Sequence, residues 1–161
     1  MNKAYLLIGG NKGDRLKILQ QAVRAIDSRA GKVLEESPVY ETAAWGKTDQ
    51  DAFLNQALLI DTPYSPETLL EKILQIETEM GRVRQEKYGP RTIDIDILLY
   101  NDRHLETAAL SIPHPELANR RFALIPLAAL APQLKHPVLH DSIQSLLKHC
   151  KDELEVTLYR P

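Results

Sequence analysis

The nine residues Thr92-Ile-Asp-Ile-Asp-Ile-Leu-Leu-Tyr100 begin by alternating apolar and acidic side chains. Successive side chains of a strand point to opposite faces. A strand here puts Ile93, Ile95, Ile97 and Leu99 on a core face and Asp94 and Asp96 together on the other, about 7 Å apart along the strand. Two ionised carboxylates that close repel each other, and a divalent cation or a set of arginines is needed to keep both charged. Magnesium suits such a pair, because it takes hard oxygen ligands and commonly binds one or two carboxylates together with substrate phosphate oxygens. Taken alone, a D-x-D pair more often marks the solvated face of an edge strand.

The residues ahead of the pair shift that balance. Arg82 to Arg91 holds Arg82, Arg84, Lys87 and Arg91 together with Gly89-Pro90. Metal on carboxylates and arginines on phosphates is the division of labour of phosphoryl transfer, whose catalysis rests on positioning and charge stabilisation. A basic solvated loop is the plainer alternative. A further cluster, Ile112-Pro-His-Pro-Glu-Leu-Ala-Asn-Arg-Arg-Phe122, offers His114, Arg120 and Arg121 beside an aromatic ring. On its own it is better read as a loop histidine bonded to backbone and a core phenylalanine.

Other motifs carry less. Gly9-Gly10-Asn-Lys-Gly13-Asp lacks the Gly-Lys-Ser/Thr ending of a P-loop and the glycine spacing of a dinucleotide fingerprint, so it reads as a turn. His136 and His140 are four apart, but Pro137 disfavours the helix that would bring them to one zinc ion.

These residues need a scaffold. Ala4 to Ile8 reads as a buried strand, and Leu16, Leu19, Val23 and Ile26 follow at helical spacing. Lys32 to Tyr40 reads as a second strand with Pro38 at an edge or bulge, and Ala52 to Ile60 as a third. The polar connection Thr42 to Asp51 is long for a hairpin and is a candidate functional loop. Ser65 can cap a helix with Pro66 in its first turn and Leu69, Ile73, Ile76 and Met80 on its apolar face, and Gly81 can stop it. Beyond Tyr100, a loop around Pro113 and Pro115, a helix over 120–131 interrupted or bent at Pro126, a helix over 142–149 and a strand over 156–159 complete the chain. The order β-α-β-β-α-β predicts an α+β, ferredoxin-like, mostly antiparallel sheet with helices on both faces.

At 161 residues, with 43% hydrophobic and 26% charged residues, the chain is expected to form one domain over 1–161 with an ordinary globular core. A single cysteine, Cys150, excludes an intrachain disulfide and a cysteine-rich zinc site and suits a reducing compartment. The net charge of −2 argues against a protein basic overall. The start MNKAYLLIGGNKGD is neither a signal peptide nor a membrane span, so a cytoplasmic location is expected. An RNA-binding module on the same topology would need a Gly-aromatic surface pattern that is missing, and acids occupy the centre of the expected surface.

Arg82-Val-Arg84 with Gly89-Pro-Arg-Thr-Ile-Asp-Ile-Asp-Ile-Leu98, and Ile112-Pro-His-Pro-Glu-Leu117 with Asn119-Arg-Arg-Phe-Ala-Leu124 and Pro126-Leu127, together resemble the pterin pyrophosphokinases of folate synthesis. Gly9-Gly10-Asn11, Tyr40-Glu-Thr42 and Phe53-Leu-Asn55 extend the resemblance from the first strand to about Pro132. It implies transfer of the β,γ-pyrophosphoryl group of ATP to the hydroxymethyl group of 6-hydroxymethyl-7,8-dihydropterin, with release of AMP and with two Mg2+ ions. By position it implies Asp94 and Asp96 as metal ligands and Arg82 and Arg91 as catalytic arginines. Glu77, Arg84, Ile97, Ser111, His114 and Arg120 match nucleotide-side positions. Asn55 would read the amide-like edge of the pterin, Phe53 and Phe122 would stack on it, and the loop with Thr42 and Trp45 would close the pocket.

Several positions depart from the family pattern. Leu74 and Ala109 stand where polar or arginine contacts are common, Tyr88 replaces a tryptophan, the loop between Arg84 and Arg91 is one residue shorter, and Thr42-Ala-Ala-Trp45-Gly46 replaces a Thr-Pro-x-x-Gly run. The resemblance implies that 42–51 and 82–91 act as lids shielding the phosphates from water. ATP and the pterin are the expected partners, with no nucleic acid, no membrane and a monomeric state.

Overall fold

The computed structural model describes residues 1–43, 51–81 and 92–161. A mostly antiparallel sheet carries strands β1 (Asn2–Gly10), β2 (Lys32–Glu36), β3 (Tyr40–Thr42), β4 (Phe53–Thr62), β5 (Asp94–Tyr100) and β8 (Val156–Leu158). Its order is β5-β1-β4-β3-β8, with β2 also paired to β4. A two-stranded ribbon, β6 (Leu105–Glu106) with β7 (Ser111–Ile112), stands apart from it. The expected α+β, ferredoxin-like arrangement is therefore present.

Helices α1 (Arg15–Arg29) and α2 (Pro66–Glu79) form because each has an apolar stripe and a side-chain cap. The Asp14 carboxylate accepts from Lys17 N–H, and the Ser65 hydroxyl from Thr68 N–H. Leu19, Ala22 and Ile26 of α1 and Leu69, Ile73 and Ile76 of α2 are buried against Ala4, Leu6, Ile8, Leu54, Leu58, Ile60, Ile95 and Ile97 of the sheet. Gly81 ends the second helix region with φ +86°, a conformation costly for other residues.

The opposite sheet face is covered by α3 (Arg121–Leu130) and α4 (Ile143–His149), which gather Leu7, Leu98, Leu99, Leu117, Leu124, Leu127 and Ile143 into a second apolar cluster. Pro126 lies inside α3 without ending it. It cannot donate to the Phe122 carbonyl, so the helix lacks one internal bond at that turn.

Three sequence-based expectations change. The strand expected over 32–40 is broken into β2 and β3. Between them the Ser37 hydroxyl accepts from Ala57 N–H and donates to the Pro38 carbonyl. Gly9 and Gly10, read as a turn, are strand residues opposite Asn55 and Leu54 of β4. Leu99 leaves the face of Ile95 and Ile97 for the α3 side. Its partner on β1 is Tyr5, whereas the adjacent Leu6 pairs with Ile97, so Leu98 is an extra residue that reverses the alternation.

Candidate active site on the sheet face beneath α3

Directly opposed residues of antiparallel strands point to the same face, and neighbouring strands stand about 4.8 Å apart. Tyr40 opposes Asn55, Asn55 opposes Gly9, and Gly9 opposes Asp94. These four residues make a single row across β3, β4, β1 and β5, with Asn55 and Asp94 about 10 Å apart. In a neighbouring row Ala57 opposes Leu7 and Leu7 opposes Asp96. On the other flank Thr42 opposes Phe53. The sheet register thus gathers Thr42, Phe53, Asn55, Asp94 and Asp96 on one face, the face that α3 covers.

Gly9 is the residue that the sequence reading missed. A Cβ there would stand 2.1 Å from Asn55 Oδ1 and 2.8 Å from the Leu54 carbonyl oxygen. The Asn55 side chain lies across the space left by the absent side chain, toward the strand that carries Asp94. A glycine inside a strand signals such a close approach, and this signal was legible once Gly9 is placed in β1 rather than in a turn.

Asn55 is 6% exposed and Thr42 3% exposed, so both polar groups are withdrawn from bulk water. The Thr42 hydroxyl is buried without a hydrogen-bond partner among the described residues. Unsatisfied buried hydroxyls are uncommon, and one beside Phe53 suits a site that a polar ligand completes. The stem of the following loop is fixed by Arg15 of α1 and by Asn11, just after β1. Arg15 donates to the Glu41 carboxylate at 2.6 Å and to the Ala52 carbonyl at 2.8 Å, and Asn11 Nδ2 donates to the Asp51 carbonyl at 3.0 Å.

Beyond Asp96, at the sheet edge formed by β5, a cleft of about 270 Å³ is lined by Leu70, Ile95, Asp96, Ile97, His114 and the 107–111 turn with Ser111 and Ala109. Three nucleotide-side residues expected from sequence, Ile97, Ser111 and His114, therefore share one cleft with Asp96. The β6–β7 ribbon that carries Ser111 was not foreseen, since its two-residue strands leave no periodic pattern. Its turn is held by Thr107, whose N–H and hydroxyl both donate to the Leu110 carbonyl.

His114 is fixed by backbone. Its N–H donates to the Leu98 carbonyl at 3.0 Å, and its Nδ1 accepts from Glu116 N–H at 3.1 Å. An accepting Nδ1 leaves the ring proton of the neutral imidazole on Nε2. Burial pushes the His114 pKa below the ordinary histidine value and Arg120 pushes it the same way, while Asp96 and Glu116 pull against them. The Ile112–Pro113 peptide bond preceding it is cis.

Glu77 is 5% exposed, and its carboxylate accepts from the Ile95 N–H at 2.7 Å. β5 is an edge strand, so this bond ties its outer side to α2 and holds the strand that presents Asp94 and Asp96. Glu77 is not among the residues lining the cleft. Arg120 is the N-cap residue of α3, and its guanidinium lies 5.6 Å from the Phe122 ring centroid. Arg82, Arg84, Arg91 and Trp45 lie outside the described residues, as do most of the two expected lids.

The profile of the 7,8-dihydro-6-hydroxymethylpterin-pyrophosphokinase (HPPK) family matches residues 5–132. The chain belongs to this family. A 2-amino-4-hydroxy-6-hydroxymethyldihydropteridine pyrophosphokinase of Methylorubrum extorquens is 45% identical over 135 residues, covering 83% of this chain and 85% of that protein. The enzyme of the same name from Bacillus subtilis is 45% identical over 135 residues, covering 83% and 81%. The folic acid synthesis protein fol1 of Schizosaccharomyces pombe is 44% identical over 145 residues, which span 89% of this chain but 20% of that much longer one. Among solved structures, an HPPK-DHPS of Plasmodium falciparum superposes with TM-score 0.74 over 92% of this chain and 43% of that chain, at 22% identity, a likeness of fold. The HPPK match contains all the site residues expected from sequence. It ends before α4 and β8.

Proposed function

We infer that this chain is an HPPK in activity as well as in family. It transfers the β,γ-pyrophosphoryl group of ATP to the hydroxymethyl oxygen of 6-hydroxymethyl-7,8-dihydropterin, releasing AMP, in folate biosynthesis. The observation that carries the assignment of the site is the row Asn55-Gly9-Asp94. It sets the backbone of Asn55, whose buried amide suits a pterin edge, about 10 Å from that of Asp94, whose carboxylate suits a metal-bound phosphate, on one sheet.

The residues divide into two halves. Asn55 offers one acceptor and two donors to the amide-like edge of the pterin, the Thr42 hydroxyl has a bond left to give, and Phe53 and Phe122 supply stacking surfaces. On the other side Ile97, Ser111 and His114 bind the nucleotide in the cleft, with His114 Nε2–H positioned by the Glu116 backbone to donate to an oxygen. Arg82, Arg84, Arg91 and Arg120 bind the phosphates.

Asp94 and Asp96 hold Mg2+ in this reading. Among the described residues no group of three or more His, Cys, Asp and Glu is gathered for a metal, so two carboxylates would be completed by phosphate oxygens and water, an ordinary arrangement for this ion. Two Mg2+ ions are proposed, and when bound they would neutralise charge on the β- and γ-phosphates. The chain itself positions the hydroxymethyl group against the phosphate and excludes water from it. No strong base is required, since a loose transition state asks little of the nucleophile. We also propose that the protein acts as a cytoplasmic monomer. No helix among the described residues is long and apolar enough to cross a membrane.

The test is product analysis after incubation with ATP, Mg2+ and the pterin. AMP and the dihydropterin diphosphate in equal amounts are expected, with neither formed when the pterin is omitted. ADP with a pterin monophosphate would overturn pyrophosphoryl transfer.

A further inference from the structure

The carboxy-terminal residues lie beyond the HPPK match, yet they reach back to both walls of the expected pterin pocket. One wall is β3, which ends in Thr42. β8 pairs with it throughout, Val156 opposite Thr42, Thr157 opposite Glu41 and Leu158 opposite Tyr40, and Tyr159 N–H donates to the Val39 carbonyl. The Tyr159 ring also lies 5.5 Å from the guanidinium of Arg15, the residue that holds Glu41 and Ala52.

The other wall is the first turn of α3, which carries Phe122. The N-cap residue Arg120 makes no side-chain capping bond. Asp152 takes over that task from 31 residues away, its Oδ2 accepting from Arg121 N–H at 3.0 Å. A carboxylate at this place satisfies an orphan N–H and complements the positive end of the helix. Asp152 Oδ1 accepts from Leu154 N–H at 3.0 Å, and the Leu154 carbonyl accepts from the Arg121 guanidinium at 3.2 Å. From Asp152 to Val156 the chain then passes directly from α3 to β3.

We propose that residues 152–158 are a strap that sets the spacing between Phe122 and Thr42, with Asp152 as a positioning residue for the pterin. This rests on the pocket assignment made above. The strap touches none of the described residues that line the nucleotide cleft, whose walls come from α2, β5 and the 107–115 segment, although Arg120, assigned above to the phosphates, adjoins the Arg121 that it holds. Its loss therefore weakens pterin binding more than nucleotide binding.

The experiment measures calorimetric affinities of wild type, Asp152→Ala, Asp152→Asn and Arg121→Ala for two probes in the presence of Mg2+. The probes are 6-hydroxymethyl-7,8-dihydropterin and the non-cleavable α,β-methylene analogue of ATP. Asp152→Ala is expected to weaken pterin binding about ten-fold, the scale of a lost charge-assisted bond. The analogue should change by less than about three-fold. Asp152→Asn keeps an accepting oxygen for Arg121 N–H and is expected to recover most of the loss. Arg121→Ala keeps the capped N–H but loses the bond to Leu154, and about a three-fold weakening for pterin alone is expected. That variant and Asp152→Asn decide the matter if Asp152→Ala does not fold. Wild-type pterin affinity in the variants, or equal weakening of both probes, overturns the strap. Wild type that fails to bind the pterin overturns the pocket assignment itself, and the strap with it.

Discussion

Replacing Gly9 by alanine is the smallest change that should separate the two halves of the site. The new Cβ would meet Asn55 Oδ1 at 2.1 Å, the Leu54 carbonyl oxygen at 2.8 Å and Asn55 Cγ at 3.0 Å. The Asn55 amide can swing away, but the Leu54 oxygen is backbone of β4 and yields only if β1 and β4 move apart. Overpacking of this kind costs about 1–3 kcal/mol of stability. A displaced Asn55 also gives up two hydrogen bonds to the pterin edge, at about 0.5–1.5 kcal/mol each. The sum, about 1–3 kcal/mol, corresponds to a dissociation constant raised about 5- to 150-fold. Calorimetric titration of Gly9→Ala with the pterin and with a non-cleavable ATP analogue reads both halves, and urea unfolding reads the stability. The nucleotide affinity is expected to change by less than about three-fold. A variant that binds the pterin as wild type does would refute the reasoning that Asn55 acts from its place above Gly9. Equal loss for both ligands would refute the division into halves.

Glu77→Ala removes the acceptor for the buried Ile95 N–H and should cost about 1–3 kcal/mol in urea unfolding, whereas Glu77→Gln, which retains an oxygen, should cost less; equal losses would show that the edge bond is not what matters. Ala109→Arg adds a cation inside the nucleotide cleft and should tighten binding of an ATP analogue about two- to ten-fold at low salt, an effect that shrinks at high salt. His136 is 6% exposed, and its Nδ1 accepts from both Val138 and Leu139 N–H groups. Burial first, and His140 second, lower its pKa below the ordinary value of about 6.5. The unfolded chain therefore takes up this proton before the folded one does. The stability contribution is full above about pH 6.5 and declines as pH falls toward the lowered folded value. Thermal melts from pH 7.5 to 5 should show a shallower pH dependence for His136→Asn than for wild type.

Legibility followed the length of the pattern. α2 declared its cap, its stripe and its stop within 17 residues, and the placement of Asp94 and Asp96 on one face of β5 required only the two-residue period. Leu99 was misplaced because the bulge at Leu98 is a property of the pairing with β1, invisible in β5 alone. Gly9 failed for the same reason. Two glycines beside polar residues read as a turn until a partner strand is known, and only the register shows Asn55 overhead. Ser111 and His114 could be assigned to the nucleotide by resemblance but not by residue pattern, since the cleft they line is assembled from three distant segments. The role suggested for Asp152 was beyond reach altogether, because a helix cap supplied from 31 residues away has no local signature.

The most direct test of the account is pterin-dependent AMP formation by the Asp94→Asn/Asp96→Asn double variant beside wild type, at saturating ATP, pterin and Mg2+, with circular dichroism to verify the fold. The account predicts a folded variant whose turnover falls by at least about 100-fold. A folded variant turning over at the wild-type rate would contradict it, and would move the chemistry away from this sheet face.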